Sequence, residues 1–167
     1  MTLPGEAPDS NASVIELTIE GELKVKVQLP KPDATGKLVL VAKDGDIHNN
    51  DGSKQAEIKV HDEIPHVGIW VDDRAWVDWT IEIDKPGKYE ILATMSVQNE
   101  QTQFNFGFDG NMVSATVSST GSYGKYKQNR LGVMTVNKAG QKNFRIIPEP
   151  KSWQPMNLRQ VTLQRVE

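Results

Sequence analysis

Three of the four tryptophans and a set of carboxylates crowd the run HVGIWVDDRAWVDWTIEI, from His66 to Ile83. Trp70, Trp76 and Trp79 are interleaved with Asp72, Asp73 and Asp78. Paired carboxylates are the machinery of glycoside hydrolysis, one as acid and one as nucleophile or base. Asp72 and Asp73 are sequence neighbours, however, and such pairs more often point apart. Asp73-Arg74 also reads as turn chemistry. His48, His61 and His66 match no zinc spacing, and there is no cysteine to complete a site. They read as scattered surface histidines. No GxSxG, P-loop or dinucleotide fingerprint occurs. The sequence therefore predicts no enzyme. What remains is the tryptophans, whose flat apolar rings can cover a ligand at low entropy cost.

Composition sets the frame for these residues. The 167 residues, 37% hydrophobic, fit one soluble domain large enough to bury a core without a disulfide or metal. No apolar run approaches a membrane span. The net charge of −3 argues against a nucleic-acid partner. One stretch departs from this balance: Lys125, Lys127, Arg130, Lys138, Lys142, Arg145 and Lys151 face only Glu149. It reads as solvated strand surface or as a face for an acidic ligand.

The positioning elements are strands. Val14–Ile19 and Leu23–Leu29 alternate, and Pro30 and Pro32 break the pattern. Short strands are expected over 37–42 and 56–60, with a polar loop from His48 to Ser53 between them. From Trp76 to Ile83, Val77, Trp79, Ile81 and Ile83 share one face, and Trp76, Asp78 and Thr80 the other. Trp79 is therefore core, and Trp76 is packing between layers, covered by the leader strands. Asp84-Lys85-Pro86-Gly87 is a turn. Lys88 to Val97 points Tyr89, Ile91, Ala93, Met95 and Val97 inward, and Phe104, Phe106 and Phe108 line one face of the next strand. Asp109-Gly110 signals a hairpin into Met112–Ser118. Arg130–Val136, Asn143–Ile147 and Leu158–Val166 complete the set, and Trp70 and Trp153 are expected exposed in loops. About ten strands with Gly, Pro and Asn turns predict an all-β, two-sheet antiparallel β-sandwich or jelly roll. Residues 1–12 read as a flexible tail without signal-peptide character. Residues 13–35 read as leader strands packing on the sandwich, and 36–167 as the sandwich itself.

The ordered motifs VLVAKDGDIHNN (39–50), VGIWVDDRAWVDWTIEIDKPGKYEI (67–91), FNFGFDGNMV (104–113), TGSYGKYKQNRLGVMTVNKAGQKNFRI (120–146) and MNLRQVTL (156–163) carry a resemblance. Over about 130 residues the chain resembles the galactose-binding-like jelly rolls. Carbohydrate-binding modules of families 6 and 35 are among these. It looks closest to the C-terminal module of some bacterial alpha-L-fucosidases and sulfatase-type proteins. The resemblance implies a loop cleft at one end of the sandwich, where two aromatics and an asparagine hold a sugar.

Carried over by residue, the first platform is Trp70, beside Ile69 where relatives often have an aromatic. The second is Tyr123, the asparagine is Asn157, and Trp153 forms a further wall. A pyranose shows an apolar face to a ring and a polar rim to an amide. Such modules often hold a structural calcium. Here Lys43 stands where relatives commonly have glutamate, and the closing strand offers Gln160 and Thr162. An ammonium cannot ligate Ca²⁺, so no cofactor is expected. The implied function is a non-catalytic carbohydrate-binding accessory module of a secreted or periplasmic glycan-processing enzyme. Its expected partners are a glycan and a catalytic domain of the same parent, with no nucleic acid or membrane, and the chain itself is expected monomeric. The alternative is a structural or docking domain that packs on its parent and binds no sugar.

Overall fold

The computed structural model of the chain describes residues 28–50, 55–108 and 110–166. The tail at 1–12 and the leader strands up to residue 27 lie outside the described residues, as does the covering of Trp76 expected from them.

Eleven strands form two antiparallel sheets, with one 3-10 turn and no α-helix among the described residues. In chain order they are β1 (Lys37–Val41), β2 (Asp46–His48), β3 (Glu57–His61), β4 (Ile64–Trp70), β5 (Trp76–Ile83) and β6 (Gly87–Val97). There follow β7 (Gln101–Phe108), β8 (Asn111–Ser118), β9 (Lys127–Val136), β10 (Gly140–Pro148) and β11 (Met156–Arg165). One sheet runs β3-β4-β11-β6-β9, with β1 pairing the second half of β11. The other runs β2-β5-β10-β7-β8. The chain passes repeatedly between the sheets, so each sheet is assembled from strands distant in sequence.

Period-two alternation drives this arrangement, because a strand with one apolar face must bury it against another layer. In β5, Val77, Trp79, Ile81 and Ile83 are all buried, and in β6 so are Tyr89, Ile91, Ala93, Met95 and Val97. Phe104, Phe106 and Phe108 of β7 meet Phe144 of β10 in the same core. Phe144 lies 5.3 Å from Phe108 and 6.4 Å from both Phe106 and Trp79. Burying each such ring contributes about 1.5–3 kcal/mol. The Trp79 indole N–H donates to Val41 O at 3.0 Å, which ties β5 to the end of β1 in the facing sheet.

The turn before β6 forms as its residues demand. Gly87 takes a positive φ of 149°, and the Tyr89 hydroxyl donates to Lys85 O at 2.6 Å. Two strands depart from the sequence expectation. Asp46–His48, of which His48 was expected to open a loop, pairs with β5, and Ile64–Trp70 is a strand that alternation does not announce. The reason for the second is a β-bulge. Met156 pairs with Trp70 but Leu158 with Val67, so β4 carries an extra residue against β11.

Candidate binding cleft at the loop end

The bulge decides where the tryptophan points. Ile69 has a φ of 55°, a left-handed conformation that is strained for a β-branched residue. Val71 N donates back to Ile69 O at 2.9 Å, closing a tight turn around Trp70. The kink throws Ile69 out to solvent and turns Trp70 inward. Trp70 is only 1% exposed, and its indole N–H donates to Ala75 O at 3.0 Å. The expected exposed loop tryptophan is thus a buried residue at the end of β4. Trp153 is corrected in the same way: it is 7% exposed and packs on Trp70 with ring centroids 5.0 Å apart.

Beside this pair lies a cleft of about 290 Å³, lined by Ile69, Trp70, Tyr123, Pro155, Met156 and Asn157, with Lys59, His66 and Gly68 at its other side. Trp70, Tyr123 and Asn157, far apart in sequence, line this one hollow; Trp153 does not, and lies behind it. Tyr123 is half-buried and supplies an aromatic wall. The Asn157 amide donates to Tyr123 O at 3.2 Å, and the buried Ser96 hydroxyl donates to the same carbonyl at 2.7 Å. The loop carrying Tyr123 is anchored further back. Thr120 N donates to Val97 O at 2.9 Å and Ser119 N to Glu100 O at 2.8 Å. The β10–β11 loop joins the same network: Thr102 Oγ1 donates to Gln154 O at 2.8 Å and Asn99 Nδ2 to Gln154 Oε1 at 2.8 Å.

Lys59 and His66 make the other side of the cleft polar, and a ring cluster packs next to His66. Arg159 lies over the Tyr126 ring at 3.6 Å and donates to His61 O at 3.2 Å. The Tyr126 ring also meets His66 edge-on at 5.9 Å. His66 was expected at the surface but is buried, and its Nδ1 has no partner among the described residues. Burial, helped by the Arg159 and His61 charges and opposed by a backbone contact at Ile64, holds the His66 pKa below the ordinary histidine value. Lys59, His66 and Gly68 were missed because their shared face follows from the β3–β4 pairing, in which Lys59 stands opposite His66. Without β4 as a strand, that pairing has no sequence signal.

The remaining chemistry is easily placed. Both Asp72 oxygens accept from Arg74, through Nε and Nη2 at 3.1 Å each. Asp72 is therefore a structural anion rather than half of an acid–base pair. His48 stacks on Trp76 at 3.6 Å and approaches the buried Asp78 at 3.3 Å, while Arg145 lies over the Trp76 ring at 5.1 Å. Among the described residues no three His, Asp or Glu side chains gather to hold a metal. Lys43 sits in the 3-10 turn after β1, and Gln160 and Thr162 stand in β11, so this donor set does not fit calcium. No helix of the described residues is long and apolar enough to cross a membrane.

No family model and no curated protein sequence matches the chain. Solved structures do. A family 35 carbohydrate-binding module from Clostridium thermocellum superposes with a TM-score of 0.65 at 17% identity, covering 78% of this chain and 98% of that one. A family 6 module of the Cellvibrio mixtus lichenase 5A, solved with cellotriose, gives 0.60 at 18% identity over 77% and 97%. The Podospora anserina mannanase of families 26 and 35 gives 0.60 at 14% identity over 80% of this chain, which spans 28% of that enzyme. The two-sheet architecture, the strand order and these superpositions identify the fold as the jelly-roll β-sandwich of family 6 and family 35 carbohydrate-binding modules.

Proposed function

We propose that the protein is a non-catalytic carbohydrate-binding module that seats a sugar ring in the cleft between Ile69, Tyr123 and Asn157. The observation that carries this reading is the convergence of Tyr123, Asn157 and the Ile69–Trp70 kink on one hollow of about 290 Å³. Tyr123 and Ile69 offer apolar walls to the C–H face of a pyranose, and Asn157 offers amide groups to its hydroxyls. Trp70, braced by Trp153, supports the floor instead of stacking openly. The module would act beside a catalytic domain, raising its local concentration on a glycan surface outside the cytoplasm. The sequence resemblance favours an alpha-L-fucosidase-type parent. Several neighbours of this fold are modules of glycoside hydrolases, which supports the accessory role.

A glycan array followed by calorimetric titration tests the reading. The wild-type protein is expected to retain one class of glycan, and Tyr123→Ala to lose it. Retention of no glycan, or unchanged binding by Tyr123→Ala, would overturn it.

A docking domain is the second reading. Ile58 and Val60 stand 38% and 66% exposed on one face of β3, which pairs only with β4 among the described residues, and they offer an apolar surface to a protein partner. Association with a catalytic domain that survives loss of sugar binding, but not Val60→Lys, would favour it.

A further inference from the structure

The cleft does not end at Pro155. A second basin of about 430 Å³ opens beyond it, lined by Asp72, Asp73, Arg74 and Trp153. Val71 and Pro155 line both hollows, so the two adjoin. Together the two hollows fall within the size range of sites that enclose small ligands, about 300–1,000 Å³.

The second basin is built from fixed polar groups. The Asp72 carboxylate grips Arg74 through Nε and Nη2, and also accepts from Arg74 N at 2.9 Å. Ala75 N donates to Asp72 O at 3.2 Å, which closes the turn beneath. A guanidinium held at two of its five N–H groups presents the others in a set direction, with little entropy left to lose on binding. The Arg74 side chain is 63% exposed and lines the basin, so its remaining donors are accessible there. Asp73, next to it, adds a carboxylate acceptor. Trp153 adds a wall whose indole N–H is buried without a partner among the described residues.

We infer that this basin is a second sugar subsite, in which Arg74, Asp73 and Trp153 hold the residue adjoining the one in the Tyr123 cleft, so that the ligand is a neutral oligosaccharide. The inference rests on the proposed sugar-binding reading of that cleft. A donor and an acceptor side by side match vicinal hydroxyls, each of which can both accept and donate. Among the described lining residues Asp73 adds a second carboxylate beside the Asp72–Arg74 pair, which disfavours an anionic sugar there. The shared border at Val71 and Pro155 sets the two rings next to each other along one chain.

Calorimetric titration with glucose, mannose, galactose and xylose, and with the β-1,4-linked di- and trisaccharides of each, tests this. For the series that binds, affinity is expected to rise about tenfold from mono- to disaccharide. Arg74→Ala and Asp73→Asn are each expected to abolish that gain while monosaccharide affinity stays unchanged. Asp73→Asn leaves the Asp72–Arg74 pair intact, so it reports on the subsite even where Arg74→Ala loosens the turn. Equal affinity of wild-type protein for mono- and disaccharide would overturn the subsite but leave the cleft. An equal loss for both ligands in Asp73→Asn would do the same. Absence of binding to every probe would overturn the subsite and the cleft together.

Discussion

The Asn157 side-chain amide donates to the backbone carbonyl of Tyr123 at 3.2 Å. One residue of the last strand thereby fixes the loop that carries the aromatic wall of the cleft. Asn157 thus has two tasks, holding the wall and offering its oxygen to a ligand. Ser96, buried in β6, shares the first task through its 2.7 Å bond to the same carbonyl but does not line the cleft. The two residues can therefore be separated. Asn157→Ala is expected to weaken sugar binding by about 1–3 kcal/mol, the cost of losing a direct bond together with a loop anchor. Ser96→Ala, which only loosens the loop, is expected to cost about 1 kcal/mol or less of affinity. Calorimetry with the glycan that the array returns checks both values. Equal effects would mean that Asn157 acts only through the loop.

Ile69 is the exposed side chain at the kink, standing where the sequence resemblance places an aromatic. An aliphatic group covers less of a pyranose face than a ring does, and it lacks the ring's electron-rich surface. Ile69→Tyr is expected to gain about 0.5–1.5 kcal/mol of sugar affinity, up to roughly tenfold. The change also removes a β-branched side chain from a φ of 55°, so thermal stability is expected to hold or rise slightly. Titration and a melting curve of the same variant check the two statements independently.

Gly107 supports the core rather than the cleft. Its φ is 157°, and a Cβ built there would stand 2.1 Å from the backbone oxygen of Asn111. That oxygen belongs to β8, which pairs with β7 at this point, so it cannot move without breaking the hairpin. Gly107→Ala is expected to destabilise the fold by about 3 kcal/mol or more, beyond ordinary overpacking. Chemical denaturation measures it. Gly110→Ala, where nothing stands within 4 Å of the added Cβ, isolates the cost of a positive φ without a clash.

The sandwich was legible because most of its strands obey one simple period. The inward sets of β5, β6 and β7 can be read directly from alternation, and Trp79 is found where its parity puts it. The cleft was legible only in part. The resemblance named Trp70, Tyr123 and Asn157, but their exposure could not be read, because the β4 bulge breaks the parity between Val67 and Trp70. An extra residue in one strand is defined by its partner, and the partner, β11, lies some ninety residues further along. The same dependence hid Lys59 and His66. Their juxtaposition is a property of strand register, and register is fixed by tertiary packing rather than by either segment alone.

His66 gives the cleft a pH dependence whose sign follows from its burial. Desolvation, helped by the Arg159 and His61 charges and opposed by a backbone contact at Ile64, lowers the His66 pKa below the ordinary histidine value of 6.5. The folded state therefore binds this proton less readily than the unfolded state does. Well above pH 6.5 the group is neutral in both states and has no effect. As pH falls below 6.5, the unfolded chain takes up the proton first, and stability declines until the folded-state pKa is passed. Thermal melts of the wild-type protein from pH 8 to pH 5 are expected to show this decline, and His66→Gln to flatten it. Because His66 lines the cleft beside Lys59, a proton there also adds positive charge to that side of the cleft. A wild-type melting temperature that stays level from pH 8 to pH 5, or an unchanged slope in His66→Gln, would show that this buried imidazole is not the titrating group.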